Sequence, residues 1–292
     1  DRPKPPQAPI ESSTEAPADR RGDASSSEIA GWAWTMLAFD VGFQIDLDKA
    51  EPLVREATRR RVVRARRPAP VWFDYSPPPL HLVLEGSPVA VGDESLGLAT
   101  DAGIELLLYD FGAALMTYRT PLPGTIDRLP EVACALHDHA RLEADARQHA
   151  LRVMDAIAPA IERPALHPAV EDYTVLSIER WAEGVSPLEM LERFRGTLAS
   201  TIEAERTPVS AEQADRTLSG RMSYTEGDLA IIDWNAAVLF DHQPQDVIAV
   251  LQHANVELLE LRVLDQELDA ILDHADETLS TVIRRRVWPG FA

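Results

Sequence analysis

The feature that most limits what this chain can fold into is a heptad seam close to its C-terminus. From Val247 the seam steps alternately by four and three residues: Leu251, Ala254, Leu258, Leu261, Asp265, Leu268, Leu272, Ala275, Leu279 and Val282. Ten of these eleven positions are apolar, which is the pattern of a helix that lays a stripe against another helix. Ile248, Leu259, Val263 and Ile271 widen the stripe over its first two-thirds, so that part can also pack on a domain. Roughly 40 residues at about 1.5 Å each make a rod of about 60 Å, longer than the domain ahead of it. The distal turns are therefore expected to need a partner helix. Leu258, Leu261, Asp265, Leu268, Leu272, Leu279 and Val282 are read as an oligomerisation or partner face. Asp265 is the one acid on the seam, and a buried carboxylate is costly unless paired, so it suits a register- or partner-selecting role. Arg262, three residues earlier, is a possible partner for it.

The remaining segments divide around that helix. With 292 residues, 45% hydrophobic and 26% charged, the chain can bury a sizeable core. Residues 1–28 hold Pro3, Pro5, Pro6, Pro9 and Pro17 among many Ser, Asp, Glu and Arg, and read as a disordered leader. Residues 29–243 read as a head domain, residues 244–286 as the long helix, and residues 287–292 as a tail toward a further segment. Within the head, strand patterns cover residues 32–45, 71–75, 80–85, 88–91, 104–118 and 173–179. A β-meander is expected over residues 222–224, 228–233 and 236–240. Helical patterns run from Asp46 or Asp48 to about Arg64 and from Thr125 to about Ile161. Ser186-Pro187-Leu188-Glu189 has a Ser N-cap, a first-turn Pro and a Glu three residues on. Ser210-Ala211-Glu212-Gln213 opens another helix in the same way. The fold class is α+β: a mixed or antiparallel sheet with two hairpin-helix units and a long C-terminal coiled-coil-like helix.

The two units come from an internal echo. Leu107 to Met116 and Ala230 to Leu239 each read as an apolar strand, Asp, an aromatic, Gly or Asn, two alanines and a second apolar strand, 123 residues apart throughout. Gly112 and Asn235 suit turn positions with positive φ, so each segment reads as a tight hairpin. A Pro-containing turn and a helix follow each, giving a possible pseudo-repeat of residues 104–140 and 227–262. Asp110 and Asp233 are read as turn-capping acids; they are also the most tempting carboxylate pair for chemistry.

No residue pattern spells out a reaction, so catalytic residues are left unassigned. Lys+Arg is 28 against Asp+Glu 48, a formal net charge of -20, and a field of that sign repels polyanions. Nucleic acid is excluded as a partner on that ground. Cys134 is the single cysteine and cannot form an internal disulfide. His137 and His139, two apart on a helix, would point away from each other. His139 and Glu143 lack a third ligand, so no metal and no cofactor is expected. No Gly-rich phosphate loop and no G-x-S-x-G is present. The arginines from Arg55 to Arg67 are read as a helix C-terminus complementing the helix dipole. Arg284-Arg285-Arg286, followed by Trp288 and Phe291, reads as an entry into something further along.

Several short motifs carry a resemblance. Pro77-Pro78-Pro79-Leu80, Glu85-Gly86, Tyr109-Asp110-Phe111-Gly112-Ala113, Thr117-Tyr118-Arg119, Glu162-Arg163-Pro164-Ala165-Leu166 and Val170-Glu171-Asp172-Tyr173 are among them, with residues 254–262 the most specific block. On these the chain resembles the bacterial branch of the "required for meiotic nuclear division" (sporulation) family over about residues 30–286. The resemblance implies an α+β domain, a helical segment and a C-terminal membrane-spanning stretch that this chain stops before. It further implies a cytoplasmic location on the inner face of the cell membrane and no known catalytic residues. The function expected is a non-enzymatic, membrane-tethered scaffold or assembly protein that self-associates or takes a partner helix. The alternative is a hydrolase of phosphorylated substrates using acids near the two hairpins.

Overall fold

The computed structural model describes residues 27–58 and 77–287, with side chains described through Arg55 and Ser280 in the two stretches. The expected strand at residues 71–75, the arginines from Arg59 to Arg67, the leader and the tail lie outside the described residues.

The architecture is α+β. Eight strands form one mixed sheet: β1 (Ala30–Asp40), β3 (Leu80–Glu85), β6 (Gly103–Leu108), β7 (Ala113–Pro121), β9 (Val170–Arg180), β10 (Arg221–Met222), β11 (Leu229–Ile232) and β12 (Ala236–Phe240). Their order is β10-β11-β12-β9-β1-β7-β6-β3, with β12 and β9 parallel and every other neighbouring pair antiparallel. Two short ribbons pair β2 (Gln44–Ile45) with β8 (Ile161–Glu162), and β4 (Ala90–Val91) with β5 (Leu98–Ala99). Seven helices accompany them among the described residues: α1 (Leu47–Thr58), α2 (Leu129–His137), α3 (Ala140–Ile157), α4 (Pro187–Arg193), α5 (Arg195–Ile202), α6 (Ala211–Thr217) and α7 (Gln245–Val287).

The central strands β1 and β9 are covered on both faces, and their sequences show it. In β1, Ala33, Leu37 and Phe39 point into one core, while Trp34, Met36 and Ala38 point into the other. That period-two division is the pleat itself. The first core takes its second layer from α1 to α6, including Val54, Leu136, Met154, Met190, Leu198 and Ala214. The second is covered by α7 through Ile248, Leu251, Val256, Leu259 and Val263. A strand buried on both faces reads as a continuous apolar run, and this is why residues 32–45 look unbroken. In fact β1 ends at Asp40 and Gly42 turns the chain before β2.

Two further expectations change. The helix anticipated from Thr125 to about Ile161 is two helices. Asp138 leaves the helical region at φ -82°, ψ 68°, so α2 can follow α5 while α3 follows α1. The strand anticipated at residues 173–179 is longer at both ends, because β9 is held by neighbours on both sides. The Ser186 start is as expected: Ser186 Oγ accepts from Glu189 N, and the Glu189 carboxylate accepts from Ser186 N, closing a capping box. Ser210 Oγ likewise accepts from Gln213 N.

Both echo segments are hairpins, and their second strands run in the same direction on either side of the β1–β9 pair. Their turns differ. Leu108 pairs with Ala114 across a three-residue turn, whereas Ile232 pairs with Ala237 and Asp233 N donates to Ala236 O across a two-residue turn. Gly112 takes the expected positive φ, at 98°, and Asn235 does not. The helices that follow go to opposite faces of the sheet, α2 to the first core and α7 to the second.

Candidate functional site

The residues expected to act together lie on α7, and the structure gives that helix two faces. Its inner face is a stripe of Ile248, Leu251, Gln252, Asn255, Val256, Leu259 and Val263, all buried. Two polar side chains fix its seating. Gln252 Nε2 donates to Thr117 Oγ1 at 3.3 Å, and Asn255 Nδ2 donates to the Glu171 carbonyl at 3.3 Å. At about 100° per residue the expected seam lies on nearly the opposite side. There Leu258, Leu261, Leu268, Leu272 and Leu279 are exposed, Leu261 at 62% and Leu272 at 65%, with Asp265 exposed among them. Val282 is in the helix, but its side chain lies outside the described residues.

The seam was expected to be shared, its first half against the head. Only the first two seam positions, Val247 and Leu251, serve the head; Leu258 and Leu261 point outward, and the rest of the inner face is built from the flanking positions instead. Ile271, expected to widen the inner stripe, is 64% exposed and joins Leu264 on the outer one. Sequence reasoning missed Leu264, although its spacing three residues after Leu261 and four before Leu268 was the available signal. The last inner contact is Val263; from there the helix continues for 24 residues, about 36 Å. Arg262 does not pair with Asp265. Its Nη1 lies 2.8 Å from Oε2 of the buried Glu171.

A second group of residues, unmarked in the sequence, gathers where α7 passes the end of β1 and the start of β9. Burial raises the pKa of Asp40, Glu171 and Glu260. For Asp40, the Gly42 N–H at 3.0 Å and His167 oppose the rise, and Glu267 adds to it. For Glu171, Arg262 opposes and Asp172 adds. Glu260 is pushed up to about 7, by burial first and then by Asp40 and Glu257. Its Oε1 is buried with no hydrogen-bond partner among the described residues.

A carboxyl whose folded pKa exceeds its ordinary 4.5 stays protonated while the unfolded chain ionises. Glu260 therefore lowers stability progressively as pH rises from about 4.5 to about 7 and by a constant amount above that. Glu260→Gln is expected to gain about 1–2 kcal/mol over wild type at pH 8, after allowing for solvent screening, and almost nothing at pH 5. Urea unfolding of both proteins at the two pH values checks this; an equal difference at both would assign the effect to packing.

The turn acids separate. Asp233 Oδ1 accepts from Trp234 N at 2.8 Å, and its carbonyl accepts from Tyr173 Oη at 2.8 Å. The Asp110 carboxylate makes no hydrogen bond to a described residue; its turn is closed by the main chain, with Tyr109 N donating to Ala113 O. The two acids sit on turns separated by β12, β9, β1 and β7, so they are not a pair. No group of three or more His, Cys, Asp or Glu among the described residues is placed to hold a metal. His139 lies 3.7 Å from Asp172, while Glu143 is taken by Arg147 at 2.9 Å. At the other end of the sheet, where β1 begins and β9 ends, an open cavity of about 500 Å³ is lined by Glu28, Arg180, Trp181 and Glu183 among others. None of the raised carboxyls faces it.

Residues 30–246 match the family model described as "Uncharacterized protein MJ0711, N-terminal domain". The chain belongs to that family. No curated protein and no solved structure gives a match. The MJ0711 N-terminal domain, so matched, starts with β1 and ends two residues into α7. The helix whose inner face completes the second core therefore lies almost entirely beyond the domain's boundary.

Proposed function

We propose that the protein is a non-enzymatic scaffold or assembly protein, in which an acidic α+β head anchors a helix that docks a partner helix. The observation that carries this reading is the outer stripe of α7, where Leu261, Leu264, Leu268, Ile271, Leu272 and Leu279 are all exposed. A contiguous exposed apolar stripe on a helix is a docking surface or an aggregation liability, and coiled-coil spacing favours docking. The resemblance to the "required for meiotic nuclear division" family adds a place of work on the inner face of a membrane. Attachment there would be made outside the described residues, none of whose helices is long and apolar enough to cross a bilayer. The net charge of -20 argues against nucleic acid as the partner.

The test is sedimentation of wild type and of Leu268→Ala with Leu272→Ala at matched concentration. Burying each leucine in a partner helix contributes roughly 2–5 kcal/mol against alanine. The double variant is expected to lose the associated species while its head keeps the wild-type unfolding transition. An unchanged assembly would remove the stripe from the account.

One observation favours the second reading, hydrolysis of a phosphorylated substrate: carboxyls with raised pKa mark functional clefts in many proteins. The setting weighs against it. A phosphate approaching Asp40, Glu171 and Glu260 would also meet Asp172, Glu257 and Glu267, with Arg262 already committed to Glu171. Burial between α7 and the sheet, with the neighbouring carboxylates, accounts for the raised values without a substrate.

A further inference from the structure

We infer that the partner on the outer stripe of α7 is a second copy of this chain, whose α7 runs antiparallel to the first. The inference rests on the docking reading above and adds the occupant and its direction. Three observations carry it, two from the part of the helix beyond Val263 and one from the head. The first is charge order. Asp265, Glu267, Asp269, Asp273, Asp276 and Glu277 make the middle of this stretch acidic, and Arg284, Arg285 and Arg286 make its final turn basic. Parallel pairing in register would set acid against acid and arginine against arginine. Antiparallel pairing in the register given below brings the basic turn of each copy against residues 261–263 of the other, between Glu260 and Asp265, and removes the arginine-on-arginine contact of the two final turns.

The second is Asp265. In parallel register it would face its own copy across the seam, two carboxylates in a desolvated layer with no compensating donor. With the helices reversed, a seam position meets its counterpart from the other end of the overlap. Pairing Leu272 with Ala275 and Leu268 with Leu279 then sets Asp265 against Val282, in the turn of helix next to Arg284–Arg286.

The third is the head. The chain carries a net charge of -20, and parallel pairing would bring two acidic heads side by side at one end of the rod. Antiparallel overlap of the stretch beyond Val263 places them about 36 Å apart, several Debye lengths at physiological salt. The exposed residues Leu261, Leu264, Leu268, Ile271 and Leu272 then face the copy, while the inner stripe of each helix stays on its own sheet.

Spin labels at Gln266, Asp273 and Ser280 test the direction. These positions are seven apart, share one side of the helix and lie off the outer stripe. Each is changed singly to Cys in a full-length Cys134→Ala background whose sedimentation matches wild type. If that background misfolds, the same three distances are read from an unnatural amino-acid label in the wild-type chain. Antiparallel pairing shifts the axial separation by about 3 Å for each residue moved, roughly 20 Å per heptad. One label should then report a short distance and the outer two longer ones. The dimer should also weaken on going from about 0.05 to about 1 M salt, because opposite charges are being screened. Three equal short distances, with a dimer strengthened by salt, would mean parallel helices and overturn the inference. A monomer with residues 264–280 fast in hydrogen exchange overturns the second copy and leaves the docking reading standing. A monomer with those amides protected by its own head would end both.

Discussion

Gly112→Ala is expected to destabilise the protein by about 2–4 kcal/mol, adding positive-φ strain of about 1 kcal/mol to an overpacking cost of about 1–3 kcal/mol. Gly112 has φ 98°, and a Cβ built there would lie 1.8 Å from the carbonyl oxygen of Gly42. That obstacle is backbone, so no rotamer change relieves it. The two chains meet here because the β6–β7 turn is stitched to the bend after β1. Val41 N donates to Gly112 O at 2.9 Å, and Ile45 N donates to Asp110 O at 2.7 Å. The bend is held in turn by β8, with Phe43 N donating to Glu162 O. Moving Gly42 away would loosen both β1 and the β2–β8 ribbon. In a chain of this size the loss corresponds to a fall in Tm of about 4–8 °C. Gly124→Ala is the control: its φ is 84°, but nothing lies within 4 Å of a Cβ there, so only the strain of about 1 kcal/mol should appear. Equal shifts for the two variants would show that the contact with Gly42 costs nothing.

Much of the fold was legible where local chemistry decides. The Ser186 capping box, the Ser210 cap and the meander ending in β12 are specified by a few adjacent residues, and the structure has them where the sequence places them. The misread elements are decided by distant partners. β1 looks continuous to residue 45 because both of its faces are buried; only the approach of Gly112 and β8 reveals why it bends at Gly42. The break at Asp138 has no Gly or Pro to announce it. It follows from α2 and α3 packing on different neighbours.

The hairpin echo shows how similar vocabulary hides different grammar. Both segments carry Asp, an aromatic and two alanines. Yet Gly112 tolerates the positive φ of a three-residue turn, and the second segment closes one residue earlier, around Trp234 and Asn235. A one-residue change of register redirects each side chain, so Asp233 caps its turn while Asp110 does not. The acidic end of the sheet was not legible at all. Asp40, Glu171 and Glu260 are far apart in sequence, and their raised pKa values come first from burial where α7 meets the sheet, which no local pattern encodes.

The seam was legible as a pattern but not as a direction. Counting by fours and threes finds a stripe, yet α7 carries two, and burial alone tells which one the head uses. Leu259 and Leu261 differ by two positions and have 0% and 62% exposure. Leu259→Ala is expected to cost about 2–5 kcal/mol, since it opens a cavity between α7 and the sheet. Leu261→Ala should stay within about 0.5 kcal/mol in a dilute monomer, as for other surface changes. The two sites lie on opposite faces and share no inner contact, so the double variant should be additive at low concentration.

The most direct measurement of the two-faced helix is therefore urea unfolding of these two single variants at about 1 μM and at about 100 μM chain. Leu259→Ala is expected to lose the same stability at both concentrations, while Leu261→Ala loses it only at the higher one, where the outer stripe is occupied. Equal, concentration-independent losses for both would contradict the two-faced helix, because Leu261 would then belong to the head's own core.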